Sequence, residues 1–192
     1  MPTKQMDERV LPQKHQFGSP WSLGERARIL AWNLTWLLVC RWTPKYAYRW
    51  RLLILRLFGC KASGSPFVSQ SATVRAPWRL TLGDLACIGP HAEIYNLGHV
   101  TLGERATVAQ YAYLCGGSHD FSAPDLPLVT DSILLENNSF VGAKAIVLLG
   151  VTVGAGAVIG AGAVVSSSVP PWTVWAGNPA REIGKRTPAR AD

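Results

Sequence analysis

A six-residue step, held over most of the chain, limits what this sequence can become more than any other feature. Aliphatic residues stand at Val68 and Val74, at Leu82, Ile88 and Ile94, at Leu102, Val108 and Leu114, and, after one interruption, at Leu135, Val141, Val147, Val153, Ile159 and Val165. The two breaks before the interruption each insert two residues, and the phase is otherwise kept. Glycine often follows the aliphatic position (Gly83, Gly103, Gly142, Gly160), and the fourth residue after it is usually alanine (Ala72, Ala86, Ala92, Ala145, Ala163). An α-helix repeats every ~3.6 residues and a half-buried strand every ~2, so neither accounts for a step of six.

A chain wound into triangular coils does account for it. Each six-residue side points its aliphatic residue into the prism, and the alanine fits where the interior narrows. Stacked coils then share parallel-strand hydrogen bonds at a spacing of about 4.8 Å. With three sides to a turn, the two blocks supply roughly five coils. A Gly/Ala/Val-rich low-complexity stretch would not hold phase over so many positions. The expected fold is mainly β. A parallel β-helix of hexapeptide repeats covers 62–170, a basic, Trp-rich helical segment covers 1–61, and a short C-terminal extension covers 171–192. Periodicity does not give the hand of the coils, and the usual crossover preference is right-handed.

The net charge of +7 is unevenly spread: +8 over 1–61, −3 over 62–179 and +2 over 180–192. A mildly acidic body argues against a nucleic-acid groove. Cys40, Cys60, Cys87 and Cys115 are far apart with no C-x-x-C spacing, which points to free thiols in a reducing cytosol rather than a disulfide framework or a zinc knuckle. The first twenty residues lack an apolar signal core, so a cytoplasmic location is expected.

Residues 29–42, ILAWNLTWLLVCRW, form an apolar run too short to span a bilayer, which needs about 20 residues. A second segment from Lys45 to Phe58 mixes Arg49, Arg51 and Arg56 with Trp50 and several leucines, and Gly59 is its stop. Two short helices broken at Pro44 follow from this. They either cap the main domain or a subunit contact, or lie in a membrane interface through residues 21–58, as Trp/Arg-rich helices do.

The repeat is broken once, from about His119 to Leu134, by a segment rich in Asp, Pro and Ser. A long excursion from a rigid scaffold is where binding and catalysis tend to sit. The stretch LCGGSHDFSAPDLP from Leu114, followed by further repeats and by VPPWTVWAGNPAREIGK, resembles the hexapeptide acyltransferase superfamily, and within it the WcaF-like branch associated with colanic acid and other exopolysaccharides. The similarity spans residues 20–186.

That resemblance implies a left-handed β-helix assembled as a homotrimer, with active sites between subunits. It implies acetyl-CoA as acyl donor, no metal, and a sugar hydroxyl as acceptor, in exopolysaccharide or lipid-linked saccharide biosynthesis. His119 would be the general base in direct transfer, a task suited to an imidazole near neutral pH. Asn96 and Glu93 border the acceptor region of the family. Asp120 either orients His119 or serves the loop, since adjacent side chains on extended backbone point apart. Ala143 and Ala161 match positions where pantetheine passes close to backbone. Ser166 and Ser167 stand where relatives carry Thr-Lys, so the missing phosphate-binding charge falls to Arg181 and Lys185.

Other classes remain in view. Small acceptors such as serine, free sugars or antibiotics are used by related trimers. A zinc hydratase of the γ-carbonic anhydrase type would need a close H-x-x-x-x-H pair, whereas His91, His99 and His119 are spaced by 8 and 20. Cys115 beside a histidine suggests a nucleophile, but it stands in the slot after Leu114 often given to small residues. A silent β-helix scaffold is the third class.

Overall fold

The computed structural model describes residues 9–11 and 20–187, so most of the start read above as lacking a signal core lies outside the described residues. Three parallel walls form the prism. The first stacks Lys61–Ala62, Leu80–Leu82, Val100–Leu102, Ile133–Leu135 and Thr152–Val153. The second stacks Phe67–Val68, Cys87–Ile88, Thr107–Val108, Phe140–Val141, Val158–Ile159 and Thr173–Ala176. The third stacks Thr73–Val74, Glu93–Tyr95, Tyr113–Cys115, Ile146–Leu148 and Val164–Val165.

The six-residue register places like positions directly over one another. Val74, Ile94, Leu114, Val147 and Val165 are successive partners on the third wall. All fourteen aliphatic positions named above, and the alanines beside them, are buried in one continuous core. The C-terminal segment adds Thr173–Ala176 to the second wall, and Arg181–Lys185 folds back antiparallel on it.

Two of the three corners are turned by a single left-handed residue per coil. Leu85, Arg105, Asn138 and Trp172 hold φ between 53° and 58° at one corner, and His91, Tyr111 and Lys144 hold 56° to 61° at the next. These are strained values for side chains with a Cβ, tolerated because the ladder fixes the backbone on both sides.

The lead segment forms α1 (Leu23–Thr35), a wider turn over Trp36–Cys40, a short turn at Lys45–Ala47 and α2 (Tyr48–Leu57), closed by Gly59. Ser22 caps α1 by accepting from the Glu25 N–H at 3.2 Å. Both helices lie across the open end of the first coil, where carbonyls have no preceding coil to accept from. Trp32 Nε1 donates to the Val74 carbonyl at 2.7 Å and Trp36 Nε1 to Ala72 at 3.2 Å. The buried Arg51 donates from Nε to Val68 at 2.8 Å, and Arg56 reaches Ala62 at 3.0 Å. Indole and guanidinium groups only donate, which is the chemistry that a row of orphan carbonyls requires. The capping role left open by the sequence therefore accounts for the inner face of these helices. Among the described residues no helix is long and apolar enough to cross a membrane.

Candidate active site

The two-residue insertions and the long excursion all fall at one corner, between the third wall and the first. They follow Val74, Ile94 and Leu114, which are stacked partners, so three coils in succession bulge at the same edge. Pro77–Arg79 forms the lowest bulge, Leu97–His99 the next, and the excursion leaves the prism at Gly116.

Side chains tie the lower bulges together. Asn96 is fully buried, and its Oδ1 accepts from the Ala76 N–H at 2.9 Å. Its Nδ2 donates to the Ala76 carbonyl at 2.6 Å and the Arg79 carbonyl at 3.1 Å. Arg79 Nη1 donates to the Leu97 carbonyl at 2.8 Å, and its Nη2 pairs with Glu25 of α1. Gly98 is where the excursion crosses back. A Cβ there would lie 2.1 Å from the Asp131 carbonyl oxygen, so only glycine lets the returning strand pass. A cleft of about 330 Å³ opens beside this edge, lined by Trp21, Glu25, Arg79, Leu97, His99 and Thr130.

The excursion itself is an antiparallel hairpin, Gly117–His119 against Leu128–Thr130, which pairs in turn with Arg9–Leu11. It begins at Gly116 and ends before Ile133, slightly earlier at each end than the 119–134 expected from sequence. His119 closes the outgoing strand with its side chain exposed, two residues beyond Gly117 and so about 7 Å from the root of the hairpin. Its Nδ1 lies 2.6 Å from the Leu126 carbonyl oxygen. A carbonyl only accepts, so Nδ1 donates its proton there, and whenever the ring is neutral the lone pair is on Nε2. Leu126 stands at φ 47°, in the left-handed region, which is part of how the tip turns that carbonyl back. Sequence reading missed Leu126, because a backbone carbonyl leaves no residue signature.

Asp120 does not orient the ring. Its Oδ1 accepts from the Ser122 hydroxyl at 2.6 Å and the Ser122 N–H at 2.9 Å, and these contacts hold its carboxyl below the usual range. Cys115 donates its thiol hydrogen to the Gly117 carbonyl at 3.1 Å, a contact that fixes the hairpin root. Burial, and next a hydrogen bond with Cys115, push the Tyr113 hydroxyl up. Glu93 is exposed and stands opposite Tyr113 and Thr73, at the far edge of the third wall from the hairpin.

The positions matched to CoA fall along two edges of that wall. Ala143 and Ala161 stack at the corner entering it, where the Gly162 N–H donates to the Ala143 carbonyl at 2.9 Å. A Cβ on Gly142 would meet the Ala161 nitrogen at 2.7 Å, so successive coils pass here at backbone contact, with the exposed Lys144 on the same turn. Arg181 pairs with Ala176 one coil further on, continuing the same edge. Ser166 and Ser167 are exposed on the opposite edge, the one carrying the hairpin. Lys185 stands at the other end of its strand, opposite Thr173, with its ammonium 2.6 Å from Glu182. The three histidines are apart in role as well as in sequence: His91 stacks on Tyr111, and His99 Nε2 shares a 2.9 Å hydrogen bond with Thr81.

A prism of hexapeptide repeats interrupted by one hairpin, whose outgoing strand ends in an exposed histidine, defines the β-helical acyltransferase class. The family model for the hexapeptide repeat of succinyl-transferase matches residues 133–167. WcaF of Escherichia coli strain K12, named as a colanic acid biosynthesis acetyltransferase, is 35% identical over 163 residues, covering 85% of this chain and 90% of that protein. The chain belongs to this family of hexapeptide-repeat acetyltransferases. Solved structures with the same fold include a hexapeptide-repeat acetyltransferase from Vibrio cholerae complexed with acetyl coenzyme A, at TM-score 0.79 and 20% identity over 92% of this chain and 96% of that one. Another is a maltose O-acetyltransferase from Clostridium difficile 630, at TM-score 0.76 and 22% identity over 87% and 90%.

Proposed function

We propose that the chain transfers the acetyl group of acetyl-CoA to a sugar hydroxyl, with His119 as general base, in the assembly of an exopolysaccharide or lipid-linked saccharide. The observation that carries this reading is the 2.6 Å contact between His119 Nδ1 and the Leu126 carbonyl, which leaves Nε2 as the proton acceptor. Acetyl-CoA supplies the activated thioester. Nε2 takes the proton of the hydroxyl as its oxygen attacks, and returns it to the departing thiolate, so one imidazole serves both halves of a direct transfer. The small residues Ala143 and Ala161, on an edge that ends at Arg181, suit a pantetheine arm that runs along backbone toward a cation, while the Ser166 and Ser167 edge lies nearer the hairpin. The name of the maltose enzyme gives a sugar as acceptor, and that of WcaF gives colanic acid biosynthesis.

The active unit in this reading is a cytoplasmic homotrimer of left-handed coils, with His119 facing a neighbouring subunit across a cleft. Glu93, exposed on the third wall, would meet the acceptor from that side. Thiol release from acetyl-CoA against a panel of sugars and nucleotide sugars tests the proposal. His119→Ala should lower turnover by about 10²–10⁴-fold, the range of general-base catalysis, while CoA binding by titration calorimetry persists. Near-normal turnover in that variant, or no CoA binding by the native protein, overturns the reading.

A further inference from the structure

The cap explains only one side of the leading helices. From Ile29 to Cys40 there is no charged residue, yet α1 and the turn after it bury only Trp32, Trp36 and Cys40 against the prism. At 100° per residue along α1, Leu30 and Leu34 project from the opposite side, and Leu37 and Leu38 on the wider turn after it are exposed as well. Leu38 is 69% exposed, and the link to α2 adds Trp42 at 80% and Tyr46 at 82%. Leu53 and Leu57 extend the patch along α2. Trp50 donates through Nε1 to the Val39 carbonyl at 3.1 Å, which locks the two helices into one surface. Apolar residues on two faces of a helix are expected to be covered on both, and here the chain covers one.

The charges around the patch say what covers the rest. No Asp or Glu occurs between Glu25 and Asp84, and Glu25 is already paired with Arg79. Arg41, Lys45 and Arg49 are exposed among the aromatic and aliphatic residues of the patch. Leucines at the centre, Trp and Tyr at the rim and cations without acids match the boundary between acyl chains and anionic headgroups. We propose that the outer face of α1 and α2 docks in the plane of an anionic bilayer. The prism end would then be held at the membrane surface without a spanning segment. The inference uses no part of the acetyl-transfer reading, and its test needs neither donor nor acceptor.

Flotation of the full chain with vesicles of phosphatidylcholine containing a minority of phosphatidylglycerol should carry the protein upward. Vesicles of phosphatidylcholine alone should carry much less, and added salt should weaken binding to the anionic ones. L38S/W42S should cut the bound-to-free ratio by about tenfold or more, since two large apolar side chains leave the interface. R41Q/R49Q should reduce binding to anionic vesicles while keeping the fold, and decides the matter if L38S/W42S loses its circular dichroism. Absence of flotation, or flotation indifferent to R41Q/R49Q and to an L38S/W42S variant that keeps its fold, overturns the proposal. So does a native-mass measurement in which L38S/W42S dissociates the assembly, because the patch would then be a contact between copies.

Discussion

Asn96 separates two roles that the same position can hold. If it contacts the acceptor, its loss raises KM and leaves stability alone. If it holds the bulges beneath the hairpin, its loss loosens the scaffold first. The structure gives it three hydrogen bonds, two of them fully buried, to both backbone groups of Ala76 and to the Arg79 carbonyl, and no exposed surface. Asn96→Ala leaves the Ala76 N–H without its partner, while the Ala76 carbonyl still accepts from the Arg79 N–H at 2.9 Å. One unsatisfied buried donor costs about 1–3 kcal/mol. For a chain of this size that is a fall in Tm of roughly 2–12 °C. Thermal melts by circular dichroism, with kcat and KM on the acceptor found by thiol release, read both effects. The expected result is a lower Tm together with a lower kcat, as the hairpin root that carries His119 shifts. An unchanged Tm with a raised KM would refute the positioning argument and return Asn96 to the acceptor.

Other predictions follow from the cap, the thiols and the crossing point. Trp32→Phe removes the donor to the Val74 carbonyl and some ring volume, and should cost about 2–4 kcal/mol in denaturant unfolding, whereas the same change at the exposed Trp42 should cost almost nothing. Burial pushes the thiols of Cys40 and Cys60 up, to about 11 and about 12. Both should resist thiol reagents at pH 8 until the protein is unfolded. Because the folded values are raised, the associated stability is whole below the ordinary 9.0 and is lost as pH climbs toward 11–12, so Tm should fall across that window. Gly98→Ala sets a methyl against the Asp131 backbone and should cost about 1–3 kcal/mol. Faster chymotryptic nicking at the exposed Phe121 and lower turnover should accompany it.

The prism was legible because its rule is periodic. One aliphatic residue every sixth place lies inside whichever wall it falls on, so Val68 or Ile159 could be assigned without knowing its neighbours. The corners were not legible: Arg105, Tyr111 and Lys144 adopt left-handed backbone that nothing in their chemistry favours, and only the stacked ladder imposes it. The lead helices were half legible. Their mix of Trp and Arg was visible, but its division into donors aimed at orphan carbonyls and an outer apolar face depends on where the first coil opens.

The site shows the same contrast, and more of it was readable than single residues suggested. Insertions after Val74, Ile94 and Leu114 recur at every third hexad, and three hexads make one turn, so spacing alone places all of them at a common edge. A prism whose other corners are regular can present side chains away from its walls only where that edge bulges. This makes Arg79, Asn96 and Gly98 supports for His119 although they precede it by twenty or more residues. Asp120, adjacent in sequence, is spent on Ser122 instead. What fixes the imidazole is the Leu126 carbonyl, supplied by the backbone path of the tip. Variants that reshape the tip should therefore change catalysis more than any substitution at Asp120 that leaves its path intact.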